Sequence, residues 1–226
     1  MTVGTNRHIL ESFLQDRPSI QYIPPSSPGF PGARRIFNYS RLDTPLAIVR
    51  PQTVFEISDL IKFANHYGID FTIRAMGHGL EGRAIAQDAL TIDVRRALKT
   101  IVVSSDRKSA TVQGGTSHAD VAKILWDEGL TTPLGTVPNV GYVGWAAYGG
   151  YGPFSSHWGL GVDQIMGATV IDSNGDIIHA DGDLLKGIRG AGGSFGVIVD
   201  LTIKVYPLNS VSVDLTFIVY VVAVSF

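Results

Sequence analysis

The stretch PLAIVRPQTVFEISDLIKFANHYGIDFTIRAMGHGLEG, Pro45–Gly82, decides the fold. The apolar run Leu46–Val49 predicts a strand, and Thr53 with Glu56 forms a capping-box pattern, which predicts that a helix begins there. Phe71–Arg74 has the composition of a second strand. The stretch therefore predicts a β-α-β unit whose second strand leads directly into a glycine-rich loop.

That loop places His78 between Gly77 and Gly79, with Arg74 at the end of the preceding strand. Glycines permit positive φ and leave main-chain N–H groups unshielded, so such a loop can hold a phosphate group. A plain connection between strands, with a solvent-exposed histidine, explains the same residues. The loop by itself does not decide between the two.

The composition excludes several classes of protein. The chain has 226 residues, of which 17% are charged, and its formal net charge is −2. This near-neutral balance, without a Lys/Arg cluster, predicts no nucleic-acid partner. The absence of cysteine excludes disulfides, thiolate metal sites and cysteine nucleophiles. No His/Asp/Glu spacing predicts a metal site.

The rest of the chain predicts a mixed α+β fold. Ala89–Val94 predicts a buried strand, Ile101–Gln113 a hairpin and Thr116–Trp126 a helix. Asn174-Gly175 predicts the turn of a second hairpin. We therefore expect two βαβ or hairpin lobes that separate near Lys99.

Three other segments carry predictions of their own. Residues 7–15 predict a short amphipathic helix, and Pro18–Gly32 predicts a loop. Thr131–Gln164 is so rich in glycine that we expect no regular element in it. Its aromatic side chains favour an ordered wall for a flat ligand over a solvated loop. These side chains are Trp145, Tyr148, Tyr151, Phe154 and Trp158.

The last residues form an apolar, β-branched run, SVSVDLTFIVYVVAVSF, Ser210–Phe226. The run is too short for a membrane helix, which needs about 20 residues, so no membrane span is predicted. It predicts a strand that pairs within the fold, pairs with a second subunit or belongs to a truncated protein. Our expectation is a homodimer through this strand. The amino terminus has no apolar segment of the signal-peptide type, which predicts a cytoplasmic location.

Three ordered motifs together resemble a known family. They are Arg74–Gly79 (RAMGHG), Gly135–Gly141 (GTVPNVG) and the stretch Leu184–Val199. With Thr91–Asp93, they are similar to the PCMH-type FAD-binding domain of the vanillyl-alcohol oxidase/p-cresol methylhydroxylase superfamily, and specifically to the berberine-bridge-enzyme-like, FAD-linked oxidoreductases. The resemblance covers about residues 40–207.

The resemblance implies a division of the chain. Residues 1–40 would form an amino-terminal helix and loop, and residues 41–207 a two-lobed FAD-binding domain with lobes at 41–98 and 99–207. Residues 208–226 would be the truncated start of the substrate domain or a dimer element. By this resemblance the usual substrate domain, and with it the usual catalytic base, would lie outside these residues, so no catalytic residue is assigned.

The resemblance also implies a cofactor. His78 stands where the family attaches FAD covalently through a ring nitrogen. Val137 replaces a cysteine that gives many members a second link, so that second link is excluded here. Met76 replaces a small residue of the pyrophosphate loop. The cofactor-binding residues implied are His78, Arg74, Ala75, Met76, Gly77, Gly79, Val137, Pro138, Val140, Gly141, Gly144, Gly149, Tyr151, Gly196, Val197 and Ile198.

The implied function is an FAD-linked oxidoreductase of secondary metabolism that transfers hydride from an alcohol or amine carbon of a small molecule to the flavin. The alternative is a flavin-free homologue that acts as a cyclase or isomerase, or as a non-catalytic binding protein. The missing substrate half is what keeps this alternative open.

Overall fold

The computed structural model describes residues 2–208. Eight helices, eleven strands and one 3-10 helix are assigned within that range. The helices are α1 Val3–Gln15, α2 Phe30–Arg34, α3 Val54–Tyr67, α4 His118–Asp127, α5 Tyr142–Ala147, α6 Ser155–Trp158, α7 Gly161–Gln164 and α8 Gly182–Ala191, and the 3-10 helix is Gly192–Phe195. The strands are β1 Gln21–Ile23, β2 Ala47–Arg50, β3 Phe71–Arg74, β4 Leu90–Asp93, β5 Ile101–Val103, β6 Ser109–Gln113, β7 Leu130–Thr131, β8 Ile165–Ile171, β9 Ile177–Ala180, β10 Val197–Lys204 and β11 Tyr206–Pro207.

The first sheet has the strand order β1-β2-β4-β3. Strands β2, β4 and β3 are parallel, as a β-α-β connection requires, and β1 pairs antiparallel with β2 at the edge. All parallel strands therefore end at the same edge of the sheet, and the glycine-rich loop leaves β3 at that edge.

The second sheet is antiparallel and has the order β5-β6-β10-β8-β9. Its two hairpins are those predicted from the sequence, and Gly175 supplies the positive φ of the second turn. Strand β10 returns between β6 and β8, so the late stretch 197–204 forms the centre of this sheet. The described residues thus form an α+β fold with two large sheets, one before and one after residue 99, and β7 pairs with β11 as a separate two-stranded sheet.

Helix α3 shows why the first unit folds as predicted. The Thr53 hydroxyl accepts from the main-chain N–H of Glu56, and the Glu56 carboxylate accepts from that of Thr53, so the capping box is formed. Gly68 ends the helix in the left-handed conformation. Ile57, Leu60 and other side chains on one face are fully buried in a core that also receives α1 and both neighbouring strands.

The second hairpin contacts helix α3, and this contact joins the two sheets. The Ser58 hydroxyl donates to the carbonyl of Gly175, and the Asn65 amide donates to the carbonyl of Ser173. Lys62 Nζ lies 3.2 Å from Asp176 Oδ1. The β8–β9 turn is therefore held against helix α3 by three side chains of the helix, two of which donate to main-chain carbonyls of the turn.

Two predictions about loops are wrong. Pro18–Gly32 contains strand β1, which forms by pairing with β2 at the edge of the first sheet. It also contains the start of α2, where Pro31 is tolerated because it lies in the first turn of the helix. Thr131–Gln164 contains α5, α6 and α7, because tertiary contacts compensate for the low helix propensity of glycine.

The apolar strand predicted at the carboxyl end, and the dimer built on it, lie outside the described residues. Within residues 2–208, no helix is long and apolar enough to cross a membrane. The proposed domain boundaries at 40, 98 and 207 remain predictions.

Candidate functional site

A cleft of about 670 Å³ lies between residues 37–84, in the part of the chain that forms the first sheet, and residues 137–148, in the part that forms the second. Small-molecule sites typically have volumes of about 300–1,000 Å³, and this cleft is within that range. One wall comes from the loop after β3 and the other from the segment around α5. Its lining residues are Phe37, Ile73, Ala75, Met76, Gly77, His78, Gly79, Glu81, Arg83, Ala84, Val137, Val140, Gly141, Gly144, Trp145 and Tyr148. Most of them are apolar or glycine, so a ligand would meet main chain and hydrocarbon.

Arg74, at the end of β3, faces away from the cleft. Its side chain is buried, and its guanidinium donates to the main-chain carbonyls of Ala33 and Arg35. Burial lowers the pKa of Arg74 to about 10, which leaves the group charged at neutral pH. Arg74 therefore anchors the amino-terminal segment rather than lining the cleft.

Asp93, at the end of β4, is the acidic centre of the same sheet edge. Its carboxylate accepts hydrogen bonds from Arg50 at 3.0 Å and from Arg95 at 2.6 Å. Burial raises the pKa of Asp93, but the two guanidinium groups and the nearby Arg74 outweigh burial and lower it overall. The carboxylate is thus ionised and stabilises a cluster of arginines behind the loop.

His78 lies inside the cleft, where its ring stacks on that of Phe37 with centroids 4.9 Å apart and planes at 22°. Burial lowers the pKa of His78. The imidazole is therefore mostly neutral at physiological pH, with a lone pair on one ring nitrogen.

Met76 and Gly141 bring the two glycine-rich stretches together. A Cβ atom built on Gly141 would lie 3.5 Å from Cγ of Met76. The Met76 side chain therefore lies against the backbone of the second glycine-rich stretch, and both residues line the cleft.

His118 supports the second wall from behind. Its Nδ1 accepts from the main-chain N–H of Gly135 at 3.4 Å, and its ring lies edge-on to Trp145 at 4.7 Å. Its Nε2 is buried without a hydrogen-bond partner among the described residues, and burial lowers the pKa to about 4. Trp145 Nε1 donates to the carbonyl of Tyr151 at 3.2 Å. The position of Trp145 is thus set by packing and by one hydrogen bond.

The residues present fit a phosphate-bearing, flat cofactor such as FAD. The main-chain N–H groups of residues 75–79 donate no hydrogen bond to any residue that the structure describes. A Cβ atom on Gly79 or Gly144 would meet nothing within 4 Å, so the backbone there is open to a ligand. Uncommitted amides in a loop can bind phosphate oxygens, and glycine permits close approach.

The structure brings together nine of the sixteen cofactor-binding residues proposed from the sequence. These nine are Ala75, Met76, Gly77, His78, Gly79, Val137, Val140, Gly141 and Gly144. It places the other seven outside the cleft lining, and these are Arg74, Pro138, Gly149, Tyr151, Gly196, Val197 and Ile198. Contact of any of the sixteen with a cofactor remains a prediction.

Two of the seven show why they lie elsewhere. Gly196 has φ +143°, and a Cβ atom there would lie 2.5 Å from the carbonyl oxygen of Ile171, so this glycine allows β10 to pair with β8. Tyr151 is 80% exposed to solvent and does not line the cleft.

Five lining residues were not predicted from the sequence. They are Phe37, Ile73, Glu81, Arg83 and Ala84. Ile73, Glu81, Arg83 and Ala84 flank the histidine loop and could have been included on proximity alone. Phe37 is distant in sequence and no local pattern indicates it.

Comparison with known proteins gives the family. Residues 45–181 match the model of the FAD binding domain family, more than half of the chain. The chain is 37% identical over 205 residues to the FAD-linked oxidoreductase aurO of Gibberella zeae, and the match covers 90% of this chain and 40% of that protein. It is 29% identical to (R)-6-hydroxynicotine oxidase of Paenarthrobacter nicotinovorans, covering 83% of this chain and 42% of that protein.

A solved structure agrees with the sequence comparison. The BBE-like 1 protein of Physcomitrella patens superposes with a TM-score of 0.82 at 26% identity, over 92% of this chain and 45% of that one. The chain thus spans less than half the length of the relatives that it matches. The chain belongs to the FAD-binding domain family, and its relatives are FAD-linked oxidoreductases and BBE-like enzymes.

Proposed function

We propose that this chain binds FAD in the cleft and is the flavin-binding part of an oxidoreductase that acts on an alcohol or amine carbon of a small molecule. The observation that supports it most is that one cleft of about 670 Å³ contains a neutral histidine, glycines with open space around them, and loop amides that donate to no described residue. The relatives named above are an FAD-linked oxidoreductase and a hydroxynicotine oxidase, which supports the same reaction class.

The loop after β3 would hold the pyrophosphate. Its amide groups at residues 75–79 point to no described partner, so they are free to donate to phosphate oxygens. Gly77, at φ +71°, allows successive amides to turn toward one point.

The apolar wall would hold the flat rings. Val137, Val140 and Trp145 line the side opposite the loop, and Gly144 leaves space between them. Such a wall excludes water and orients a planar group by contact. A bound flavin supplies the redox chemistry, since it accepts a hydride from the substrate carbon.

We further propose that His78 is the site of covalent attachment. Burial keeps the imidazole neutral, so a ring nitrogen has a lone pair that could bond to the 8α-methyl carbon of FAD. The methyl group and the imidazole would each give up one proton, and the two electrons would pass to the flavin, which dioxygen would then reoxidise. Val137 stands at the position of a possible second attachment and cannot form one. A single link, through His78, is therefore expected.

The purified chain, supplied with FAD, tests the proposal directly. The expected result is a flavin absorption spectrum, and flavin that stays with the polypeptide after acid denaturation. The His78→Gln variant keeps an uncharged polar side chain but has no imidazole nitrogen. It is expected to bind FAD and to release all of it on denaturation.

The outcomes distinguish FAD binding from covalent attachment through His78. Release of flavin from both proteins would contradict covalent attachment while leaving FAD binding intact. A chain that stays colourless in excess FAD, with an unchanged melting temperature, would contradict FAD binding. That result would favour the flavin-free alternative.

A further inference from the structure

The side chain next to His78 comes from a distant part of the chain. Phe37 follows α2 and precedes the first parallel strand, and its ring lies nearly parallel to the imidazole at 4.9 Å. The Phe37 side chain is 52% exposed, because its other face lines the open cleft. The Phe37 ring thus covers one face of the His78 imidazole, and Phe37 belongs to none of the three motifs that resemble the family.

The segment that carries Phe37 is fastened to the histidine loop on both sides of the stack. Before Phe37, the Arg74 guanidinium holds the carbonyls of Ala33 and Arg35. At Phe37 itself, the main-chain N–H donates to the carbonyl of Gly77 at 3.0 Å. After it, the Asn38 amide donates to the carbonyl of Leu80 at 2.7 Å.

Packing leaves this segment little freedom to shift. Ile36 is 5% exposed, and a Cβ atom on Gly77 would lie 3.2 Å from its Cγ2. The absence of a side chain at Gly77 therefore lets Ile36 sit directly on the loop. The Phe37 ring is presented to His78 by a backbone that is held in place, not by a freely moving loop.

We propose that Phe37 is a positioning residue for His78: its ring fixes the plane of the imidazole in the cleft and shields one face from water. This proposal rests on the proposed function, in which His78 is the attachment residue. Stacked aromatic rings prefer parallel, offset geometry, so the contact restricts rotation of the imidazole about its side-chain bonds. Shielding also disfavours the charged form, in line with the lowered pKa.

The test uses the full chain prepared without flavin, so that it does not depend on cofactor binding. The chemical shifts of the His78 ring protons and their titration with pH are measured by NMR, with His78→Gln giving the assignment. Phe37→Leu retains apolar bulk but removes the ring, and Phe37→Tyr restores a ring. Tyr39→Leu is the matched control, because Tyr39 is in the same segment but stacks with Arg35.

We expect Phe37→Leu to move the His78 proton signals downfield, through loss of the ring current, and to raise the pKa of His78 toward its ordinary value. Phe37→Tyr and Tyr39→Leu should both match the wild type. Glu81 and Arg83 line the same cleft and are unchanged in every variant. A separate measurement of the melting temperature shows whether each variant is folded.

Identical His78 signals and an identical titration in folded Phe37→Leu would overturn the proposal. If Phe37→Leu fails to fold, wild-type His78 signals without an upfield ring-current shift would overturn it. An upfield shift there would support it. A chain that shows the expected shifts and yet binds no FAD would contradict the proposed function and leave the role of Phe37 standing.

Discussion

Met76 and Gly141 both line the cleft and lie close together, with 3.5 Å between Cγ of Met76 and the point where a Cβ atom of Gly141 would lie. Gly141 has φ −70°, so its backbone accepts any residue, and only the space decides what fits. The two glycine-rich stretches therefore meet at this pair, and a long side chain at position 141 would press against Met76.

A larger side chain at Gly141 should weaken FAD binding. Gly141→Leu would place branched carbons against Met76 and into the cleft, where overpacking typically costs about 1–3 kcal/mol. We expect the dissociation constant for FAD to rise about tenfold or more. Quenching of flavin fluorescence on titration with the flavin-free chain measures it.

The double variant Gly141→Leu/Met76→Ala should recover part of the loss, since it removes the opposing side chain. Gly32→Leu is the control, because Gly32 is an exposed glycine outside the cleft with no atom within 4 Å of its Cβ position. Equal affinities of Gly141→Leu and the wild type for FAD would show that bound FAD does not come near Gly141.

His118 should make the fold less stable in mild acid. Its pKa is lowered by burial from 6.5 to about 4, so the unfolded chain takes up a proton at a higher pH than the folded chain does. Stability should therefore fall as the pH drops from about 6.5 to about 4, by roughly 3 kcal/mol over the whole interval. Urea unfolding at several pH values measures this slope.

Replacing His118 with leucine should remove that component of the slope, whatever the variant's stability at neutral pH. His8→Gln, a change at an exposed histidine on α1, serves as control. A slope in His118→Leu equal to that of the wild type would mean that His118 is not the group that titrates.

Asp93→Asn should destabilise the chain strongly. The change would leave Arg50 and Arg95 without their shared carboxylate, and loss of one partner from a buried ionic cluster typically costs about 3–5 kcal/mol. The pKa of Asp93 is lowered in the folded chain, so its contribution is present above the unfolded value of about 4 and is lost as the pH falls below it.

The matched control for Asp93 is Asp127→Asn, in the exposed pair of Lys123 and Asp127 on helix α4. An exposed pair of this kind contributes at most about 1 kcal/mol. Chemical unfolding compares the two variants at pH 7. Similar losses in both would show that the arginine cluster does not depend on Asp93.

Gly175→Ala should loosen the contact between the β8–β9 turn and helix α3. Gly175 has φ +84°, and a Cβ atom there would lie 2.5 Å from Cγ of Lys62. The substitution adds strain from the left-handed backbone, about 1–2 kcal/mol, and also displaces Lys62. Faster amide exchange in α3, near Ser58, is expected along with a lower melting temperature.

Gly129→Ala is the control that separates backbone strain from displacement of Lys62, because Gly129 has φ +65° and open space around its Cβ position. Gly129→Ala should lower the melting temperature through backbone strain and leave amide exchange in α3 unchanged. If both variants give the same exchange rates in α3, the turn does not hold the helix.

Local signals were enough to predict the first unit and both hairpins. The Thr53–Glu56 capping box, the left-handed Gly68 and the Asn174-Gly175 turn each act within a few residues, so the sequence near them determines the outcome. The short elements in Pro18–Gly32 and Thr131–Gln164 were missed because neighbours distant in the chain stabilise them.

The sequence by itself determined the α+β class, the loop that carries His78 and the family to which the motifs belong. Only the tertiary structure decided that Arg74 anchors a neighbouring segment, that Tyr151 points to solvent and that Phe37 covers the imidazole. The reason is physical: backbone conformation depends on nearby residues, whereas the direction and contacts of a side chain depend on whatever the whole fold places beside it.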